Sequence, residues 1–176
     1  MDKIIRPTVE GMAAEGNTYT GFLYAGLMID DAGRSKVVEY NCRFGDPETQ
    51  PIMMRLQSNL ADLCLLATQG KLDTASIKWD ERSSMGVVLA ANGYPDAYPS
   101  GEVIGLPSNT TDTKVFHAGT KMKDGNVVSA GGRVLCATAL GDSVADAQVK
   151  AYELLKKIDW KTAYYRDDIG FRLLNK

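Results

Sequence analysis

Residues 37–47, VVEYNCRFGDP, read as an alternating strand that stops at Gly45-Asp46-Pro47, because proline cannot continue a central ladder. Val38, Tyr40, Cys42 and Phe44 are apolar, while Glu39, Asn41 and Arg43 between them are polar or charged. Successive side chains of a strand point to opposite faces, so the spacing predicts one set against a core and the other in a row on the far side. The preceding run GFLYAGLMID (21–30) ends in Asp31, Ala32 and Gly33, which makes a β-hairpin the economical arrangement.

Beyond the stop, Ile52, Met53, Leu56, Leu60, Leu63 and Ala67 recur at helical spacing up to Gly70, with Pro51 near the start and an interruption foreseen at Ser58-Asn59. Residues 71–83 are polar and aperiodic, which places a domain boundary near Lys78. MGVVLAA (85–91) is a short apolar run suited to a buried strand, and 92–107 is punctuated by turn residues. Residues 114–141 read as three strands, with a hairpin turn at Asp124-Gly125 and a break at Gly131-Gly132. Ser143, with Asp146 three residues on, opens a helix whose Val144, Ala147, Ala151, Leu154, Leu155 and Ile158 share a face and pack over the sheet. The fold class is α+β.

Twenty Lys and Arg against 22 Asp and Glu leave a formal charge of −2, which gives no general reason to expect nucleic-acid or membrane-surface binding. Three scattered cysteines, with no CxxC and a single histidine, suggest neither a disulfide framework nor a zinc site, and they fit a reducing cytoplasm. No run reaches the ~18–20 apolar residues of a membrane span, and MDKIIRPTVEGM lacks the apolar core of a signal peptide.

Glu39 and Asn41 offer two oxygen donors from alternate positions of one strand. Hard Mg²⁺ prefers such ligands and takes one or two from protein, leaving waters and substrate phosphates to complete its octahedron. Arg43 extends the row with a guanidinium suited to a phosphate or carboxylate. The same spacing also suits the solvated face of an edge strand, where a Glu–Arg pair contributes roughly 0–1 kcal/mol. Cys42 lies on the apolar parity and is expected to be a small buried residue without a catalytic role.

YTGFLYAGLMID with VVEYNCRFGDPETQP closely resembles the glycinamide ribonucleotide synthetase (phosphoribosylamine–glycine ligase) family of the ATP-grasp superfamily. The likeness continues through RPTVEGM, GYP, VFHAGT, GGRVL and YRDDIGFR, spanning essentially the whole chain. It implies ATP-dependent joining of glycine to 5-phosphoribosylamine through glycyl phosphate, in purine biosynthesis. It further implies that Glu39 and Asn41 hold Mg²⁺ or Mn²⁺ beside ATP, that Arg43 contacts phosphate, and that Asp46 and Glu48 face the substrate. Asp46 and Thr49 equally suit the fixing of the turn into the next helix.

Two departures accompany the resemblance. Many ATP-grasp enzymes carry a further acidic metal ligand on the preceding strand, where this chain has Gly26-Leu27-Met28. The family's complete enzyme also has an amino-terminal substrate domain and an earlier ATP-grasp half, and the chain starts after both. Residues 1–77 are therefore expected to be the closing half of an ATP-grasp domain, and 78–176 the family's β-rich carboxy-terminal domain. Together they would be a carboxy-terminal fragment that needs the amino-terminal portion as partner. RFGDPETQ with HAGT and GGRVL argues against a carboxylase or a related purine ligase; a non-catalytic module that binds metal–nucleotide or supplies an interface is the rival of another class.

His117 is expected to be structural. Lys121 and Arg133 have the charge to reach a phosphate, and GGR lets backbone approach a ligand, though a glycine bend beside an exposed arginine gives the same pattern. Arg133 is carried as a substrate-binding candidate. Arg166 and Arg172, around Asp167-Asp168, suit ion pairs that tie down the chain end, and TVEGMAAEGNTYTG (8–21), with Glu10, is expected to be a loop without P-loop chemistry.

Overall fold

The computed structural model describes residues 1–174, and its contacts divide the chain into two units. The first comprises Met1–Asp46 and Ser58–Ile77; the second comprises Pro47–Gln57 and the chain from Lys78 onward. Among the described residues no helix is long and apolar enough to cross a membrane.

The first unit holds α1 (Ile5–Ala14), the antiparallel pair β1 (Tyr24–Ile29) and β2 (Ser35–Asn41), α3 (Leu60–Thr68) and a 3₁₀ turn at Leu72–Thr74. The expected hairpin is present, and its turn is built by Asp30. The Asp30 carboxylate accepts from the N–H groups of Ala32 and Arg34 at 3.1 and 2.9 Å and from Arg34 Nε at 2.8 Å. These bonds hold its pKa below the usual aspartate value, the Arg34 backbone N–H acting most strongly. Gly33 takes the left-handed conformation the turn requires, with φ at 74°. Residues 8–14 form the body of α1 instead of the expected loop, and Thr8 Oγ1 bonds Tyr40 Oη of β2 at 2.7 Å. Asn59 caps α3 by accepting from the Ala61 N–H at 2.9 Å, and the foreseen interruption falls there.

Parity in β2 does not translate into burial. Val38 is 66% exposed and Tyr40 42%, and Cys42 is exposed rather than buried. Among the described residues of this unit only Gly45 is buried. Alternation reports which side chains share a face; a core exists only where another layer covers that face.

The second unit contains α2 (Thr49–Arg55), β3 (Ser83–Ala90), β4 (Thr113–His117), β5 (Thr120–Lys123), β6 (Asn126–Ser129), β7 (Arg133–Gly141), α4 (Val144–Lys156) and α5 (Phe171–Leu174). An antiparallel sheet runs β3-β7-β4, and β5-β6 is a separate hairpin turning at Asp124-Gly125, both with positive φ. Four strands stand where three were expected. The additional break falls at Ala118-Gly119, where the backbone of Gly119 lies so close to Gly131 and to the Arg133 carbonyl that a side chain would collide with them.

α4 and α2 both pack on β3 and β7. Val87, Leu89, Leu135 and Ala137 meet Ala151, Leu154 and Leu155 of α4 in the core. Each leucine so buried contributes roughly 1.5–3 kcal/mol. Ser143 caps α4 by accepting from the Asp146 N–H at 3.1 Å, and Asp146 in turn accepts from the Asp142 N–H at 3.0 Å. The other parity of β3 presents Gly86 to Pro51 of α2. α2 is fixed at its far end by Asp80, whose N–H donates to Arg55 O at 2.7 Å and whose carbonyl accepts from Arg55 Nε at 3.0 Å.

Candidate functional site

Glu39 and Asn41 stand two residues apart near the end of β2, and Asn41 Nδ2 donates to Glu39 Oε1 at 3.1 Å. The two side chains therefore share a face, as their parity requires. Gly26 of β1 is directly opposite Glu39, and Tyr24 opposite Asn41. A Cβ on Gly26 would stand 3.1 Å from Glu39 Cγ, so the glycine makes room for the carboxylate to lie across the neighbouring strand. In the sequence Gly26 marks only the lack of an acidic residue. A glycine inside an otherwise apolar strand was the available signal of close approach. The pairing register shifts between Gly26 and Leu27, a bulge at the same place.

β2 ends at Asn41, so Arg43 does not extend the strand row. Its guanidinium turns back and Nη1 donates to Phe44 O at 2.8 Å. Phe44 stacks on Phe22 with ring centroids 4.0 Å apart, which braces the exit from the strand. Tyr19, whose hydroxyl donates to Phe22 O at 2.7 Å, is held above the usual phenol pKa, first by desolvation and then by its contact with Cys42.

The donors present would suit a hard divalent cation. Glu39 and Asn41 supply a carboxylate oxygen and an amide oxygen on one face, the small protein share that Mg²⁺ accepts. Among the described residues no group of three or more His, Cys, Asp or Glu is arranged to hold a metal unaided. Other oxygens, such as those of a nucleotide, would have to complete the shell.

The remaining candidates fall elsewhere. Asp46 closes the first unit, whereas Glu48 belongs to the second, at the N-cap position of α2. Glu48 O accepts from the Ile52 N–H at 3.2 Å, so its backbone is bound into the helix's first turn. Arg133 begins β7 and is exposed. The Gly131-Gly132 approach beside it is made to protein: Gly131 lies against Gly119, and the Tyr94 ring occupies the space a Gly132 side chain would need. His117 Nδ1 pairs with Thr120 Oγ1 at 3.0 Å across the Ala118-Gly119 bend, a structural arrangement. Lys121 is exposed on β5, and Glu10 lies on α1. Arg166 binds Asp168 through Nε and Nη2, both at 2.8 Å, and Arg172 lies over the Phe171 ring.

Comparison with known proteins finds the family described as phosphoribosylglycinamide synthetase, C domain, over residues 84–172, and that synthetase's ATP-grasp (A) domain over residues 1–49. A phosphoribosylamine–glycine ligase of Vibrio parahaemolyticus is 63% identical over 176 residues, covering 99% of this chain and 41% of its own length. One from Salmonella typhimurium is 62% identical over 179 residues, covering 100% of this chain and 42% of its own. The chain thus spans about two fifths of the curated relatives it matches. The crystal structure of a phosphoribosylamine–glycine ligase from Thermotoga maritima superposes with a TM-score of 0.79 at 39% identity, over 90% of this chain and 39% of that one. The urea carboxylase of Kluyveromyces lactis shares the fold at a TM-score of 0.56 and 19% identity, over 80% of this chain and 12% of that one.

Proposed function

The chain belongs to the phosphoribosylglycinamide synthetase family, and from that premise we propose that it forms part of an ATP-dependent ligase joining glycine to 5-phosphoribosylamine. The products are glycinamide ribonucleotide, ADP and phosphate, made in the cytoplasm for purine biosynthesis. Residues 1–77 serve as the closing part of the ATP-grasp domain and 78–176 as the carboxy-terminal domain. The observation that carries this reading is the pairing of Glu39 with Asn41 on one face of β2, over Gly26, in a chain with this family membership.

In this reading the glycine carboxylate attacks the γ-phosphorus of ATP, forming glycyl phosphate and releasing ADP; the amine of 5-phosphoribosylamine then attacks the acyl carbon, expelling phosphate. Glu39 and Asn41 hold Mg²⁺ or Mn²⁺, which when bound neutralises charge on the nucleotide phosphates. Arg43 supports the transferred phosphoryl group with charge-assisted hydrogen bonds. Asp46 and Glu48 orient the substrate amine, and Arg133 contacts a substrate phosphate. Phosphoryl transfer depends on orientation and on exclusion of water, which this chain's residues supply only in part. The chain alone is inactive in this reading, and the activity belongs to a polypeptide of the relatives' length.

The test compares this chain with the longer polypeptide encoded by its gene, each supplied with ATP, glycine and 5-phosphoribosylamine. The longer polypeptide releases ADP only when glycine is present, and the chain alone does not turn over. Glu39→Ala lowers turnover of the longer polypeptide by about 10²-fold or more. An unchanged rate and magnesium dependence would sink the ligand assignment. Turnover by the chain alone would refute its inactivity, and calorimetric Mg–ATP binding without any turnover in the longer polypeptide would favour a non-catalytic nucleotide-binding module.

A further inference from the structure

Helix α2, with Glu48 at its N-cap, packs on β3 and β7, and its Pro51 makes a close contact with the sheet. Pro51 lies against Gly86 in the middle of β3, where an added methyl would stand 3.1 Å from Pro51 Cγ, 3.3 Å from Cδ and 3.0 Å from Cys136 Sγ. Non-bonded carbons settle at about 3.5–4.0 Å, so glycine lets the ring lie directly on the strand. At its other end α2 is held by two hydrogen bonds between Arg55 and Asp80, 2.7 and 3.0 Å long. Bulk beneath Pro51 therefore has one way to be accommodated on the helix side, which is to lift the first turn. Glu48 moves with that turn, because its carbonyl is hydrogen-bonded to Ile52 N–H at 3.2 Å.

We propose that Gly86 is a positioning residue, which sets the height of Glu48 over the sheet by allowing Pro51 to seat on it, and so tunes binding of the amine substrate. This rests on the reading of Glu48 as a group that orients 5-phosphoribosylamine. The sulfur of Cys136 touches the same point from within the sheet, which supplies an internal control: relieving the contact on the helix side restores Glu48, while relieving it on the sheet side leaves the helix lifted.

The experiment measures KM for 5-phosphoribosylamine and for ATP in the longer polypeptide carrying this chain. Displacements well below 1 Å at a substrate-positioning group are expected to raise KM for the amine about tenfold in Gly86→Ala, with KM for ATP unchanged. Adding Pro51→Ala to Gly86→Ala returns KM for the amine to within about twofold of the unsubstituted enzyme, and adding Cys136→Ala does not. An unchanged amine KM in Gly86→Ala, or equal rescue by both second substitutions, overturns the proposal. Should Gly86→Ala not fold, Pro51→Leu enlarges the same contact from the helix side while Gly86 is retained, and an unchanged amine KM there overturns it equally. Failure of the unsubstituted enzyme to make glycinamide ribonucleotide would instead defeat the proposed function, so the two failures are distinguishable.

Discussion

Single residues in this chain are informative mostly through what their neighbours lack. Glu39 reaches across β1 because Gly26 has no side chain, and Tyr94 occupies the space over Gly132 for the same reason. A methyl at Gly132 would overlap the Tyr94 ring, which has Tyr98 on another side with a centroid separation of 6.2 Å. Gly132→Ala is therefore expected to destabilise the second unit by ~1–3 kcal/mol, read as a lowered thermal unfolding midpoint. Gly11 offers the contrast: it is inside α1, and nothing lies within 4 Å of a Cβ placed there. Gly11→Ala should stabilise that helix by about 0.5–1 kcal/mol, seen as slower hydrogen exchange of the α1 amides. The row of Glu39 and Asn41 was legible from parity because the period of a strand is fixed by geometry. The exposure of Cys42 and the turning back of Arg43 were not, since they depend on where the strand ends and on what covers it.

Elements follow the local rules where a local signal decides them. The cap at Ser143 and the turn at Asp124-Gly125 rest on side chains or glycines within a few residues and were readable, whereas Asn59 was foreseen as an interruption and not as a cap. Residues 8–14 looked like a loop because Gly11 and Gly16 weaken the helical pattern, and the break between β4 and β5 was missed because Gly119 is needed for a contact with Gly131, distant in sequence. The joint that closes α2 onto β3 is likewise non-local. Asp80 accepts from Arg82 Nε at 2.9 Å, from Arg82 Nη2 at 2.8 Å and from the Arg82 N–H at 3.0 Å, while Arg82 Nη1 also donates to Asp112 at 2.9 Å. These bonds, the Arg82 side chain foremost, bring the Asp80 carboxyl from its ordinary 3.8 down to about 2. A pKa lowered by folding adds stability above the unfolded value and loses it as pH falls through the folded one. The unfolding midpoint should accordingly fall as pH drops from about 4 to 2. Asp80→Asn should flatten that dependence, and an identical slope in thermal melts of the two proteins would contradict the assignment.

At the level of the whole molecule, the burial is unequally shared. The second unit holds a continuous core from Val87 to Trp160, whereas the first keeps only Gly45 buried among its described residues and leaves Met28 66% and Ile29 61% exposed. Slowest hydrogen exchange is therefore expected in β3 and β7. Amides of β1 and β2 should exchange much faster, because strands without a fully buried residue unfold locally at little cost. Equal protection of β2 and β7 would contradict this distribution. The inheritance of the second unit is constrained as well, since its sequence is interrupted by Ser58–Ile77 and its first piece, Pro47–Gln57, lies upstream. A single crossover in the gene transfers that unit intact only together with Ser58–Ile77 of the first unit. A chimaera of two family genes spliced at codon 78 seats one parent's Pro51 on the other parent's Gly86, while a splice at codon 47 keeps the pair together. Recombinants joined at codon 47 should therefore survive selection more often than those joined at codon 78.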